Sequence, residues 1–183
     1  SIIRESEDLG AGLFDTDFNT LCESESTPMH IGSIPGYLHG IQDTLDDGEW
    51  YEDDVVVHNH PYHGASHTPD LAIVIPIFYQ GELVGYSGNT AHHIDIGAAT
   101  PGLIIDVHDV YAEGMLFAGT KLYRKGVRND TIWNFIHNNS RAARQLVDDI
   151  EAQIASARLG VKRFVELLDR YGKELVFNAC NQL

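Results

Sequence analysis

Apolar and polar positions along this chain follow two different periods. In the middle, three short runs are dense in β-branched residues: DVVVHN (54–59), LAIVIPIF (71–78) and ELVGYSGNTAHH (82–93). Such runs read as strands buried on one or both faces. YQGE links the last two, and Gly81 suits a turn residue with positive φ, so this region predicts an antiparallel hairpin. In the last third the period lengthens. Val147, Ile150, Ile154, Ala157, Val161, Phe164, Leu168 and Tyr171 step by three or four, one buried stripe of a long helix over about 141–171. Gly172 follows as its terminator. Gly160, inside that helix, costs about 1 kcal/mol against Ala, which points to a close contact or a kink. Asp130 reads as the N-cap of a shorter helix, TIWNFIHNN.

The first third is richer in loops. Gly12–Phe14 and Asn19–Cys22 flank a polar turn and predict a second hairpin. Tyr37, Leu38, Ile41 and Leu45 stand at helical spacing, with Pro35 in the first turn of that helix. KLYRKGVR (121–128) reads as a solvated surface loop. Strands followed by helices predict an α+β fold, an antiparallel β hairpin core in the middle with C-terminal helices. Residues 1–183 read as a single domain. No initiator Met leads the chain and its last residues follow shortly on a long helix, so a fragment of a longer subunit is expected.

Charge narrows the function. With 12 Lys and Arg against 27 Asp and Glu, the net charge is −15. A chain this acidic, with its basic residues scattered, repels a polyphosphate, so no nucleic-acid partner is expected. Cys22 and Cys180 are the only cysteines and lie far apart in sequence, which fits a reducing cytoplasm rather than a disulfide framework. No apolar run approaches the roughly 18 residues a membrane span needs.

The chemistry concentrates in histidine. HNHPYHGASHTPD (58–70) holds four histidines and Asp70, and TAHHIDIG (90–97) adds His92, His93 and Asp95. If Gln80 and Gly81 form a regular two-residue turn, Asp70 lies opposite Ala91, and His67 and Asp70 meet the His92–His93 pair at the open end of the hairpin. Two imidazoles and a carboxylate make a donor set for a divalent ion such as Mn, Zn or Fe with open positions for a water or substrate oxygen. The short H-x-x-D spacing, stiffened by Pro69, lowers the ordering cost. A regular strand puts His93 on the face of Asp70; one bulged residue puts His92 there instead, and Gly85 and Gly88 make a bulge easy. Spacing leaves both open. Loop hydrogen bonds are the simpler account of His58, His60 and His63. Asp95 either orients an imidazole or is an exposed loop carboxylate. His108, Asp109 and Glu113 read as a turn into a helix, and His30, His39 and His137 carry no signal. No nucleophile-elbow or phosphate-loop motif occurs.

The stretch NHPYHGASHTPDLAIVIPIFYQGELVGYSGNTAHHIDIGAATPG (59–102) resembles the hydantoinase B/oxoprolinase B family, whose pattern is N-D-P-Y-x-G-G-T-H-x-P-D, a hairpin, then A-H-H-x-D-x-G-G. ESEDLGAGLFD, ESESTPMHIGSIPG and the helix AARQLVDDIEAQIASARLGVKRFVELLDRYG resemble its flanking segments. The resemblance implies a metal-bearing subunit, longer than this chain, that works with a hydantoinase A-like partner carrying the ATP site. It implies either ATP-dependent ketone carboxylation or ATP-dependent opening of a cyclic amide such as a hydantoin, 5-oxoproline or a lactam. Carried over residue by residue, the metal ligands are His67, Asp70 and His92, which requires a bulge or a shifted turn. His60 stands where many members have Asp, and Ala65-Ser66 replace Gly-Thr. These departures point to the ketone carboxylase branch, with cyclic-amide hydrolysis as the alternative and a non-catalytic scaffold with structural histidines as a third reading.

Overall fold

The computed structural model describes residues 8–24, 27–45, 47–102 and 106–180. Seven strands form one sheet: β1 (Leu9–Phe14), β2 (Thr20–Glu23), β3 (Val55–His58), β4 (Asp70–Tyr79), β5 (Glu82–His92), β6 (Thr120–Arg124) and β7 (Val127–Arg128). Their order is β2-β1-β5-β4-β3-β6-β7, and every pairing is antiparallel. The helices are α1 (Pro28–Thr44), α2 (Asp130–Asn138), α3 (Ala143–Tyr171) and α4 (Lys173–Cys180). The α+β expectation, with its central hairpin and C-terminal helices, is met.

β4 and β5 lie at the middle of the sheet and are joined by Gln80 and Gly81, both at positive φ, 54° and 82°. That is the mirror-image turn whose twist suits a two-residue hairpin. Successive side chains of a strand point to opposite faces, and both faces here are covered, which is why LAIVIPI is a continuous apolar run. On one face α1 supplies Ile34, Leu38, Ile41 and Leu45 against Phe14, Val56, Val74 and Tyr86. On the other, Ile150, Ile154 and Ala157 of α3 and Trp133 and Ile136 of α2 pack on Val57, Leu71, Ile73 and Ile75. Each large apolar side chain among these stabilises the fold by roughly 1.5–3 kcal/mol on full burial.

Several local expectations are corrected. α1 starts at Pro28, so the first-turn proline is Pro28 and Pro35 lies inside the helix. KLYRKGVR is not a loop: it forms β6 and β7, turning at Lys125 and Gly126 with φ of 51° and 76°. Lys121 there is buried, with its ammonium 2.9 Å from Asp54 and 3.0 Å from Asp47, partners that local sequence does not reveal. Asn129, not Asp130, caps α2 by accepting from Ile132 N. Tyr171 ends the apolar stripe exposed, because the chain turns at Gly172. The 29-residue α3 runs unbroken through Gly160, where a Cβ would lie 2.4 Å from Ser87 Oγ, so that glycine serves close helix-to-sheet contact.

Candidate metal centre

The hairpin register decides which histidine meets Asp70. From the turn, Tyr79 pairs with Glu82 and Phe78 with Leu83, but Ile77 pairs with Gly85. Val84 is therefore an extra residue on β5. It stays because its side chain packs with Ile77 of β4 and Phe164 and Leu168 of α3. Beyond this bulge every β5 residue is displaced by one, and Asp70 lies directly opposite His92. A one-residue shift exchanges the faces of everything that follows. The regular-strand expectation of His93 beside Asp70 is thus corrected, and the alternative with a bulge is what forms.

The three side chains converge. His67 Nδ1 lies 2.9 Å from Asp70 Oδ2, His92 Nδ1 3.0 Å from Asp70 Oδ1, and His67 Nε2 3.1 Å from His92 Nδ1. The two rings stack at 5.1 Å between centroids. One ligand atom from each residue lies within 4.8 Å of the others. Donors around an ion with bonds of roughly 2 Å sit about 3–3.5 Å apart; His92 Nδ1 has that spacing to both Asp70 Oδ1 and His67 Nε2, and two imidazoles with a carboxylate suit a divalent cation. Asp70 is fully buried, while the side chains of His67 and His92 are 27% and 15% exposed, leaving an approach from solvent.

Neighbours fix this geometry. Asn59, buried, donates to the carbonyls of Thr68 (2.6 Å) and Met115 (2.9 Å) and accepts from Phe117 N, which staples the H-x-x-D turn to the 115–117 segment. Ser66 Oγ donates to Asp70 Oδ2 at 2.7 Å and meets the Tyr37 hydroxyl at 2.9 Å. Burial alone would raise the Asp70 pKa, but hydrogen bonds from His67, His92 and Ser66 outweigh it and hold the carboxyl well below its usual range. His67 is raised chiefly by its hydrogen bond to Asp70, against the opposing effect of burial. Burial pushes the Tyr37 phenol up. The result is an ionised carboxylate held between two imidazoles, with a protonated phenol behind.

The remaining histidines and acids separate from this cluster. His93 faces the other side of the sheet, fully buried, its Nε2 2.9 Å from Gln153 Oε1 of α3. His58 is buried between the His63 carbonyl (2.9 Å) and Gly119 N (3.1 Å), and burial lowers its pKa to about 4. His60 and His63 pack ring against ring at 4.7 Å. His58 thus takes the expected hydrogen-bonded role, whereas His60 Nδ1 is buried without a hydrogen bond among the described residues, so the loop hydrogen bond expected of that nitrogen does not form. Asp95 neither orients an imidazole nor is exposed: it is buried and bonds Arg141 through Nη1 (3.0 Å) and backbone N (2.8 Å). Asp109 caps a single 3-10 turn, Val110–Glu113, and Glu113 from that turn adds negative charge near His67. His39, His108 and His137 are exposed. His30, which carries no sequence signal, is fully buried behind the cluster, 3.7 Å from Asp70 Oδ2. Its helix brings it there from 40 residues upstream in the chain, and no local pattern announces it.

The family description Hydantoinase B/oxoprolinase matches residues 1–183. A Pseudomonas sp. (strain NS671) protein, named as the putative B-type subunit of a D-/L-hydantoinase, is 48% identical over all of this chain, which covers 32% of that protein. The chain therefore spans about a third of that relative's length. The crystal structure of an ATP-dependent caprolactamase from Pseudomonas jessenii superposes with a TM-score of 0.88 at 32% identity, over 96% of this chain and 30% of that one. A nucleotide-free acetone carboxylase shares the fold, with a TM-score of 0.84 at 23% identity over 95% of this chain and 23% of that one.

Proposed function

The chain belongs to the hydantoinase B/oxoprolinase family, and from that premise we propose that it is the metal-bearing part of a subunit that opens a cyclic amide in an ATP-dependent, multi-subunit enzyme. The observation that carries this reading is the convergence of His67, Asp70 and His92, one ligand atom of each within 4.8 Å of the others, at a solvent-facing edge. Those three residues hold the cation; Mn, Zn and Fe all suit the donor set. A divalent ion so held supplies Lewis acidity toward a carbonyl oxygen.

The chain's own residues do the rest. Asp70 contributes a carboxylate that stays ionised across the physiological range, because three hydrogen bonds stabilise its anion. Ser66 and Tyr37 fix its rotamer from behind. His67 and His92 keep a partly exposed edge, so a substrate oxygen can approach from the solvent side. ATP is handled by a hydantoinase A-like partner.

Ketone carboxylation is the second reading. The NHPYHGASHTPD departures favour it, whereas the 48% identity to a hydantoinase relative and the caprolactamase likeness favour cyclic-amide opening. Acetone carboxylase contributes likeness of fold alone. We rank cyclic-amide opening first on that balance. The test is to combine the full-length protein with its A-type partner and measure ATP consumption with hydantoin, 5-oxoproline, caprolactam and acetone in turn. Consumption stimulated by a cyclic amide and lost in His67→Ala supports the reading. Stimulation by acetone with bicarbonate alone transfers the assignment to carboxylation. Bound metal with an open coordination position supports an enzyme, whereas an occupied, closed or empty site supports a scaffold role.

A further inference from the structure

The long helix α3 begins without a cap. Ala142, at its N-cap position, offers no side-chain acceptor, and no acidic residue stands in the first turn. Leu146 N bonds the Ala142 carbonyl at 3.0 Å. The N–H groups of Ala143, Arg144 and Gln145 before it have no acceptor among the described residues, and they carry the positive end of a 29-residue helix. An open groove of about 680 Å3 lies over them. Arg144 lines it, exposed and without an ion pair among the described residues. Arg141 is already engaged by Asp95 and by the Ala98 and Ala99 carbonyls.

Asp149, further along the same helix, makes the opposite demand. It lines the same groove and is only 9% exposed, yet its carboxylate has no hydrogen bond or ion pair among the described residues. It also borders a cavity of about 30 Å3 between α3 and the end of β5, enough for a water or an ammonium group. His93 lines that cavity too, but its Nε2 is bonded to Gln153. A buried carboxylate without a donor is costly. Asp148, exposed at the rim, adds negative charge beside it. A simple anion here would be drawn to the helix end and repelled by these two carboxylates; a simple cation would meet the reverse.

We propose that this groove binds an ω-amino acid, its carboxylate on the free N–H groups of residues 143–145 and on Arg144, and its ammonium on Asp149. Arg144 and Asp149 are five residues apart, roughly 7.5 Å of helix rise. The single carbon between the end groups of an α-amino acid does not span that. The groove lies on the α3 face and shares no residue with the His67, Asp70 and His92 centre, so its occupancy does not depend on a bound metal.

The test is isothermal titration of the full-length protein, in EDTA, with 6-aminohexanoate, hexanoate, hexylamine and glycine. We expect 6-aminohexanoate to bind at least roughly tenfold more tightly than each of the others, the loss expected when one charge-assisted hydrogen bond is missing. Asp149→Asn should reduce 6-aminohexanoate to the affinity of hexanoate without weakening hexanoate itself. Ala142→Asp, which places a carboxylate at the helix end, should weaken both carboxylates while raising the melting temperature, a combination that simple damage to the fold would not give. No binding of 6-aminohexanoate to the wild type overturns the proposal. So does equal affinity for hexanoate or for glycine, and so does a folded Asp149→Asn that keeps the preference. If Asp149→Asn does not fold, Arg144→Gln decides: weaker binding of both carboxylates with hexylamine unchanged supports the site, and wild-type binding of all of them overturns it.

Discussion

His92 and His93 share a peptide bond and little else. His92 belongs to the α1 face of the sheet, partly exposed, its ring against a buried carboxylate and a second imidazole. His93 belongs to the α3 face, fully buried, its burial pushing the pKa down and its Nε2 bonded to Gln153. Gln153 in turn donates to the Leu71 carbonyl and Asn89 Oδ1, and its own backbone carbonyl accepts from Asn89 Nδ2, so His93, Gln153 and Asn89 close on one another. The α1 face leaves donors converging on one point. A polar network that satisfies itself stabilises a fold; one that leaves a shared focus can bind something. Neighbouring residues of the same type fall on either side of that distinction because of one extra residue, Val84, eight positions upstream of His92.

The largest expected effect separates the two histidines directly. His92→Ala should lower Zn2+ affinity roughly 1,000-fold, about 4 kcal/mol, with little change in the melting temperature in EDTA. His93→Leu should do the reverse: affinity within about threefold of wild type, and a stability loss of roughly 1–3 kcal/mol from the orphaned Gln153 side-chain carbonyl. Isothermal titration and chemical denaturation read the two. If His93→Leu loses the metal and His92→Ala keeps it, the register of β5 is wrong.

Acid should discriminate among the imidazoles in the same way. His58 is buried neutral with its pKa lowered from 6.5 to about 4. The unfolded chain therefore takes up a proton that the folded chain refuses, and stability falls as pH drops from 6.5 toward 4, by about 3 kcal/mol for that one group. His67 is shifted the other way, upward, by Asp70. It favours the metal-free fold at low pH, that contribution is lost as pH rises through its raised pKa, and a cation must displace its proton. Zn2+ affinity should accordingly weaken at a higher pH than an ordinary imidazole would dictate. Denaturation curves from pH 7 to 4 for the wild type and His58→Asn check the first statement; titrations over the same range check the second. A flat affinity profile contradicts the coupling of His67 to Asp70.

Gln153→Leu should cost about 1–3 kcal/mol, whereas Gln153→Leu combined with His93→Leu should recover the share of that loss owed to His93, since removing both partners leaves no orphan between them. Equal instability of the single and double variants, by urea denaturation, would show that Gln153 matters through Leu71 and Asn89 rather than His93.

The smallest effect on the centre is expected from deleting Val84. The ladder on either side already has Asp70 opposite His92, so removing the bulged residue makes β5 regular without changing that pair. Affinity should stay within about threefold, while the lost packing against Phe164 and Leu168 costs roughly 1.5–3 kcal/mol. Loss of metal binding in a folded variant would mean that the bulge also shapes the site.

The same contrast marks what is legible in the sequence. The hairpin from Asp70 to His92 is readable because its apolar run and two-residue turn are local. So is the α3 stripe, and so are His67, Asp70 and the His92–His93 pair as candidates. The choice between the pair is not, because Val84 is kept in its bulge by α3, about 80 residues away. β6 and β7 read as a loop for a like reason: the charge of Lys121 suggests solvent, and Asp54, Asp47 and the Glu49 carbonyl, brought alongside by the fold, let it be buried. His30 and Gln153 are invisible locally, each delivered by a helix whose placement depends on the whole core.

Crystals of this chain grown with Zn2+, with anomalous difference maps collected on both sides of the metal edge, would locate the cation itself. One strong peak is expected, bonded to an imidazole nitrogen of His67, a carboxylate oxygen of Asp70 and an imidazole nitrogen of His92, each at roughly 2.0–2.2 Å, with His93 turned away against Gln153. A peak bonded to His93, or no peak at these three residues in a crystal where Zn2+ is bound elsewhere, would show that the hairpin does not build this centre.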